Sequence, residues 1–234
     1  MAWHGALAGA LAAAACGVVH AGGLRLQPVV VTLAPGETSA VVSIDNDGMA
    51  PLEVRARVFD WTQREGEDEL SPTREVGISP ARARIPPGRH QRLRMLVITP
   101  PPDDRERSYR IILDEAGDDA SAAPTRYSLP LFVNADGRAP VRLTARLVPL
   151  GPTATRLRID NPDRHHAKLV DLSFRPADGG AVRSLAPDLA GYVLPGRHKH
   201  WTLPAPIEQF REGRFEAIVN GRPVVLAPDL RDPD

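Results

Sequence analysis

Short apolar segments separated by proline and glycine turns limit what this chain can fold into. Its 234 residues include 24 Pro and 19 Gly, residue types that interrupt helices and mark turns. Between the turns, apolar and polar residues alternate with a period of two, most clearly over residues 52–61. This alternation is typical of β-strands that bury one face. The pattern therefore predicts an all-β chain and argues against a helical bundle.

The predicted strands form two sets, divided by the turn Ala135-Asp136-Gly137. The first set covers residues 26–33, 39–45, 52–61, 89–98, 108–115 and 126–134. The second set covers residues 141–148, 155–160, 168–174, 198–203, 214–219 and 223–226. Turns that recur every ~8–12 residues are typical of β-sandwiches. We therefore expect two β domains, residues 22–137 and 138–234, with an acidic loop at 117–125 in the first.

Residues 1–21 are predicted to be a secretory signal peptide. They are mostly apolar, contain no Asp, Glu, Lys or Arg, and end in the small-x-small sequence Val19-His20-Ala21. One alternative is a membrane anchor, although the apolar segment 5–19 is shorter than the ~20 residues that a spanning helix needs. The other is a lipoprotein with Cys16 as the lipid-bearing residue. Without residues 1–21 the chain has no cysteine, so no disulfide or thiolate site is expected.

The charge balance restricts the class of partner. Lys and Arg together number 29, as do Asp and Glu. Because non-specific nucleic-acid binding needs a basic excess, no nucleic-acid partner is expected. Only Lys168 and Lys199 are lysines, so nearly all the cations are guanidinium groups. These planar groups are suited to binding carboxylates with two parallel hydrogen bonds.

Several motifs of the first domain occur in a recognisable order. They are Asn46-Asp47-Gly48, Val58-Phe59-Asp60-Trp61-Thr62-Gln63, Leu70-Ser71-Pro72-Thr73, Ile85-Pro86-Pro87-Gly88, Gln91-Arg92-Leu93-Arg94, Tyr109-Arg110-Ile111-Ile112-Leu113-Asp114-Glu115 and Ser128-Leu129-Pro130-Leu131-Phe132-Val133. The series resembles the periplasmic pilus-assembly chaperones of the chaperone–usher pathway. The Trp-x-Gln segment and the Pro-Leu-Phe-Val strand are most similar to the archaic branch, which serves spore-coat-like fimbriae. The resemblance covers about residues 24–137.

The resemblance implies two immunoglobulin-like β-sandwiches set at an angle, with a cleft between them. It implies a periplasmic protein that is not an enzyme and has no cofactor, with a fimbrial subunit and an outer-membrane usher as partners. The implied mechanism is donor-strand complementation, in which the chaperone lends an edge strand to an incomplete subunit. Whether the free protein covers that strand by self-association is left open.

Residues 126–134 are the predicted lending strand. Tyr127, Leu129, Leu131 and Val133 share one face, which we expect to enter the subunit. Phe132 is apolar on the other face, so the strand fits between two cores. Pro130 removes one backbone donor, which favours an edge position. The alternative is an ordinary edge strand covered by its own domain.

A subunit carboxylate needs a cationic anchor in the cleft. The resemblance implies an Arg on the first strand and a Lys on the lending strand, but Val30 and Pro130 stand at these positions. The anchor must then come from another arginine. Our first candidate is Arg94, followed by Arg110 and Arg126, and then Arg92 and Arg138. The alternative role for each is a solvated surface residue or an ion pair between domains.

Metal binding and catalysis are not expected. His165, His166, His198 and His200 could supply ligands, but Arg197 and Lys199 would repel a cation. No nucleophile elbow, phosphate-binding glycine loop or zinc-protease helix is present in the sequence. The main rival to a chaperone is therefore a secreted structural or carbohydrate-binding β-sandwich, and a hydrolase on a sandwich scaffold is a weaker third reading.

Overall fold

The computed structural model describes residues 19–21, 23–101, 105–116, 125–136 and 140–229. The first strands are β1 (Val19–Ala21), β2 (Leu24–Gln27), β3 (Val31–Leu33), β4 (Ser39–Asn46), β5 (Leu52–Arg64), β6 (Glu67–Pro72), β7 (Val76–Ser79), β8 (Arg82–Ile85), β9 (His90–Val97), β10 (Arg107–Ala116) and β11 (Thr125–Val133). The later elements are β12 (Thr144–Pro149), β13 (Thr155–Asn161), β14 (Ala167–Pro176), β15 (Arg183–Val193), β16 (Arg197–Leu203), α1 (Glu208–Arg211), β17 (Gly213–Val219), β18 (Arg222–Leu226) and β19 (Pro228–Asp229). The all-β prediction is confirmed. Within these ranges no helix has the length and apolar character to cross a membrane.

The N-terminal domain is a sandwich of two sheets. One sheet has the strand order β1-β2-β4-β9-β7, and the other has the order β3-β11-β10-β5-β6 with β8 also paired to β5. The alternation in β5 turns Leu52, Val54 and Ala56 inward, where all three are buried. Strands β4, β9 and β10 add Ile44, Met95 and other apolar side chains to the same core. Each sheet thus has an outer face, and the outer face of the β10 sheet carries the candidate site.

The C-terminal domain is a second sandwich with its own core. Its sheets have the strand orders β16-β13-β12-β19 and β15-β14-β17-β18. Phe174 packs against Phe210 and Phe215, with ring centroids 5.2 and 5.1 Å away. The short helix α1 contributes Phe210 to this cluster. Since the two domains have separate cores, their relative position depends on the junction between them.

The junction combines a small apolar cluster with buried hydrogen bonds. The cluster consists of Trp61, Phe132, Ala135, Tyr192 and Leu194. Beside it, the Gln63 side-chain amide donates to the Tyr192 carbonyl (2.8 Å) and accepts from the Leu194 amide (3.0 Å). Gln63 is only 3% exposed, so water does not replace these bonds. The Trp-x-Gln motif therefore holds the two domains together.

A Gln63→Ala substitution is expected to lower the free energy of unfolding by about 1–3 kcal/mol. It leaves the buried amide of Leu194 and the carbonyl of Tyr192 without partners, and such groups incur their desolvation cost. Thermal and urea unfolding would measure the change. Gln91→Ala is the matched control, because the Gln91 amide donates to the neighbouring Arg92 carbonyl at an exposed position. Equal stability of the two variants would contradict this role for Gln63.

Several strand expectations need correction, while the domain boundary and the signal peptide remain predictions. Residues 26–33 are not one strand: β2 and β3 lie in different sheets, because the chain changes sheet at Pro28-Val29-Val30. The predicted sets also lack β6, β7, β8 and β15. Strand β15 contains Pro187 and Gly191 and pairs with β14 through irregular registers, so its sequence does not alternate regularly. The domain boundary at residue 137 and the signal peptide over 1–18 lie outside the described residues. Residues 19–21, which we assigned to the same peptide, form β1.

Candidate functional site

Strand β11 has a partially free edge. It pairs with β10 along its whole length, from Thr125 to Val133. On the other side it pairs with β3 only at Leu131–Val133, in parallel. Within the described part of the chain, residues 125–130 therefore have no strand on their outer side. The edge position predicted from Pro130 is confirmed for this segment.

The predicted donor side chains are occupied by the protein's own core. Leu129, Leu131 and Val133 are 3%, 0% and 2% exposed and belong to the core of the N-terminal domain. Tyr127 packs partly against the same core, and its hydroxyl donates to Glu115 Oε2 at 2.9 Å. The expectation that this face enters a subunit is therefore contradicted, because withdrawing these side chains would expose the core. What β11 can offer a partner here is the backbone of residues 125–130.

Arg110 lies next to this edge on the outer face of the sheet. It is directly opposite Pro130 in the β10–β11 register. Its guanidinium carbon lies 3.6 Å from the ring centroid of Trp61 and 5.6 Å from that of Tyr192. Burial lowers the pKa of Arg110, while Asp68 and Tyr192 oppose this shift. Of the carboxylates that the structure describes, none forms an ion pair with Arg110.

The two positions at which the resemblance implied basic residues border Arg110. Pro130 is its cross-strand neighbour, and Val30 packs against the Trp61 cluster. The adjacent strand thus places a guanidinium group, that of Arg110, near the positions from which both cations are missing. Two aromatic rings hold it, which favours a fixed guanidinium orientation. Arg110 can present its hydrogen-bond donors to a carboxylate from this position.

The other candidate arginines lie elsewhere. Arg92 and Arg94 are exposed on β9, on the outer face of the opposite sheet. The two sheets of the sandwich are ~10 Å apart, and the Trp61 junction lies on the outer face of the other sheet. The expected position of our first candidate, Arg94, in the cleft is therefore contradicted. Arg126 points to solvent at the start of β11 and donates to Asp114 at 2.7 Å. Arg138 lies outside the described residues.

Asp114 accepts hydrogen bonds from two arginines, Arg126 and Arg57. These bonds lower the pKa of Asp114, although its partial burial opposes the shift. The network crosses β5, β10 and β11 on the outer face of the sheet. It therefore fixes the register of β11 at the end far from the domain junction.

Asp114→Asn is expected to destabilise the protein at neutral pH by about 1 kcal/mol. A carboxylate with a lowered folded pKa stabilises the protein above its unfolded pKa of ~3.9. This stabilisation disappears as the pH falls through the folded pKa. Urea unfolding of wild type and variant at several pH values would measure it. If the difference in free energy of unfolding between wild type and Asp114→Asn stays constant down to the most acidic pH measured, the ionic contribution is contradicted.

The histidines connect the domains. His166 Nδ1 lies 2.8 Å from Glu106 Oε1, and its ring stacks on Phe132 at 3.5 Å. His200 Nε2 lies 3.0 Å from Glu67 Oε1. Both glutamates are in the N-terminal domain, so these contacts span the junction. Among the residues described, no group of three or more His, Cys, Asp or Glu could hold a metal ion. No local sequence pattern indicates these pairs, because the partners are far apart in the chain.

The fold is similar to those of solved fimbrial chaperones. One match is a chain of the CsuC-CsuE chaperone-tip adhesion subunit pre-assembly complex from the archaic chaperone-usher Csu pili of Acinetobacter baumannii. Its TM-score is 0.72 at 24% identity, covering 88% of this chain and 99% of that chain. The E. coli chaperone DraB matches with a TM-score of 0.57 at 19% identity, covering 89% and 96%. A chain of the Salmonella enterica SafA pilin–SafB chaperone complex matches with a TM-score of 0.58 at 17% identity. This match covers 88% of the present chain and 97% of the matched chain.

Sequence comparison matches the first domain to one family model. No curated protein sequence matches the chain. Residues 23–136 match the family model described as pili and flagellar-assembly chaperone, PapD N-terminal domain. This range contains β2–β11 and therefore both the free edge and Arg110. The chain thus has the two-domain immunoglobulin-like fold of the pilus chaperones, and its N-terminal domain matches the PapD family of pili and flagellar-assembly chaperones.

Proposed function

We propose that this protein is a periplasmic chaperone of an archaic-type chaperone–usher pathway. It captures a fimbrial subunit by donor-strand complementation and delivers it to an outer-membrane usher. The observation that carries the proposal is the free edge of β11, which runs over residues 125–130 to the cation of Arg110. The family match over residues 23–136 supports the chaperone role. The similarity to a structure from archaic Csu pili supports the branch.

The free edge suits strand donation through the backbone. A partner strand added to β11 would pair with its unbonded N–H and C=O groups, and such main-chain bonds provide affinity in strand addition. Leu129, Leu131 and Val133 hold the strand in place from inside the domain. The edge is therefore ordered before binding, which reduces the entropy lost on association.

Arg110 provides the second half of the recognition. A subunit that aligns its last strand with β11 brings its C-terminal carboxylate towards the domain junction. The guanidinium of Arg110, stacked on Trp61, can bind both oxygens of that carboxylate. Partial desolvation strengthens such an ion pair relative to one in water. The anchor therefore sets where along the edge the subunit strand stops.

Co-expression with a fimbrial subunit from the same gene cluster tests the proposal. We expect a soluble 1:1 complex to co-purify from the periplasm, and the subunit alone to aggregate. The same preparation reveals whether a leader peptide has been removed from the chain. A subunit that is equally soluble without this protein, and that does not bind it, would favour a secreted structural or carbohydrate-binding sandwich.

A further inference from the structure

An arginine-rich groove lies beside the free edge, on the same outer face as Arg110. Its volume is 650 Å³, and five arginines line it: Arg55, Arg57, Arg82, Arg84 and Arg126. The carboxylates in its lining are Glu53 and Asp114. Because the whole chain has equal numbers of acidic and basic residues, this excess of three positive charges is a local feature.

Two of these arginines have no carboxylate partner among the residues described. Arg57 and Arg126 both bind Asp114, and Arg84 lies 3.9 Å from Glu53. Arg55 and Arg82 form no ion pair, yet they are directly opposite each other in the β5–β8 register. Like charges that face each other across a ladder destabilise a sheet. The fold therefore carries an unfavourable pair that an anionic partner would neutralise.

The groove is continuous with the lending strand. Arg82, Arg55, Asp114 and Arg126 form one row across β8, β5, β10 and β11. Neighbouring strands are ~4.8 Å apart, so Arg55 lies about 10 Å from β11. A subunit paired with the free edge would have its adjacent surface within about one Debye length of this charge.

We propose that the captured subunit places an acidic surface segment over this groove while its strand pairs with β11. This inference rests on the proposed chaperone function and adds the chemistry of the partner surface. The exposed side chains of Arg55 and Arg82 attract the subunit from a distance and orient it before the strands pair. Charge complementarity of this kind acts mainly on the association rate and depends on salt.

The test is the association rate of the subunit with wild type, Arg55→Gln/Arg82→Gln and Arg92→Gln/Arg94→Gln. The third protein is a matched control, because it removes the same charge from the opposite sheet. At low salt we expect the first double variant to associate about 3–10-fold more slowly than wild type, and the control to match wild type. At about 0.5 M salt, where charges are screened, the three rates should converge. Unfolding curves of all three proteins verify that each is folded.

Each outcome decides between the claims. Equal association rates for wild type and Arg55→Gln/Arg82→Gln at low salt would overturn the inference but leave the chaperone function intact. If the association rate of Arg92→Gln/Arg94→Gln falls by the same factor, the effect comes from net charge alone, and the inference is overturned as well. If subunit association is unchanged but the complex binds an usher more slowly, the groove serves the usher, and the inference is wrong. A wild type that binds no subunit would refute the proposed function itself.

Discussion

Replacing Arg110 by Gln is expected to weaken subunit binding at least ~30-fold. Truncating one partner of a desolvated, hydrogen-bonded charge pair costs about 2–5 kcal/mol, and 2 kcal/mol corresponds to ~30-fold in affinity. Arg110 faces the junction between two aromatic rings and has no ion pair among the described residues. Its loss should therefore affect the captured carboxylate more than the fold. Calorimetric titration with the subunit's C-terminal strand peptide would measure the change.

Two further variants make this result specific. Arg110→Lys keeps the charge but loses the planar fork, so we expect an intermediate affinity. Arg94→Gln changes an exposed arginine of the opposite sheet and should bind as wild type. If Arg110→Gln binds the peptide as tightly as wild type does, the carboxylate anchor lies elsewhere. A loss of affinity in Arg94→Gln would instead restore our first candidate from the sequence.

Substitution of Leu131 is expected to act on folding before it acts on capture. Leu131 is fully buried in the core of the N-terminal domain, so Leu131→Ala should lower the free energy of unfolding by about 2–5 kcal/mol. Leu131→Asp would bury an unpaired carboxylate and should leave the domain unfolded at neutral pH. Urea unfolding and circular dichroism would measure both effects.

The control for Leu131 is on the same strand. Ser128 is exposed on the outer face of β11, and Ser128→Asp should change stability by less than about 0.5 kcal/mol. If Leu131→Asp were as stable as wild type, the side chain would not belong to the core. The face containing Tyr127, Leu129, Leu131 and Val133 would then be available to a subunit, as the sequence pattern suggested.

Strand β11 shows how far the sequence could be interpreted. Alternation over residues 126–134 correctly indicated that Leu129, Leu131 and Val133 share a face. Pro130 indicated an edge, which holds for residues 125–130 but not for residues 131–133, where β3 pairs with β11. The pattern could not tell whether that face is covered by the same domain or by another protein, since both give the same period. In the structure the chain's own opposite sheet covers it. The backbone edge, to which every residue type except proline contributes the same N–H and C=O groups, leaves little trace in the sequence.

The choice of the carboxylate anchor shows a second limit of what a sequence pattern can predict. Arg94 and Arg110 both lie on predicted strands of the first domain, and spacing along a strand does not say which sheet the strand joins. Only the register that sets Arg110 opposite Pro130, and the contact with Trp61, distinguish them. Similarly, nothing in the local sequence links Glu106 to His166, which come together because two separately folded domains meet there.

Amide hydrogen exchange on the free protein and on its complex with a subunit tests the central claim most directly. Strand donation requires new backbone hydrogen bonds along the outer edge of β11, and such bonds slow exchange. We predict that amides within residues 125–129 that do not bond to β10 become protected only in the complex. Amides of β18 in the C-terminal domain serve as an internal reference and should not change. A complex that forms without new protection in residues 125–129 would contradict strand donation by β11.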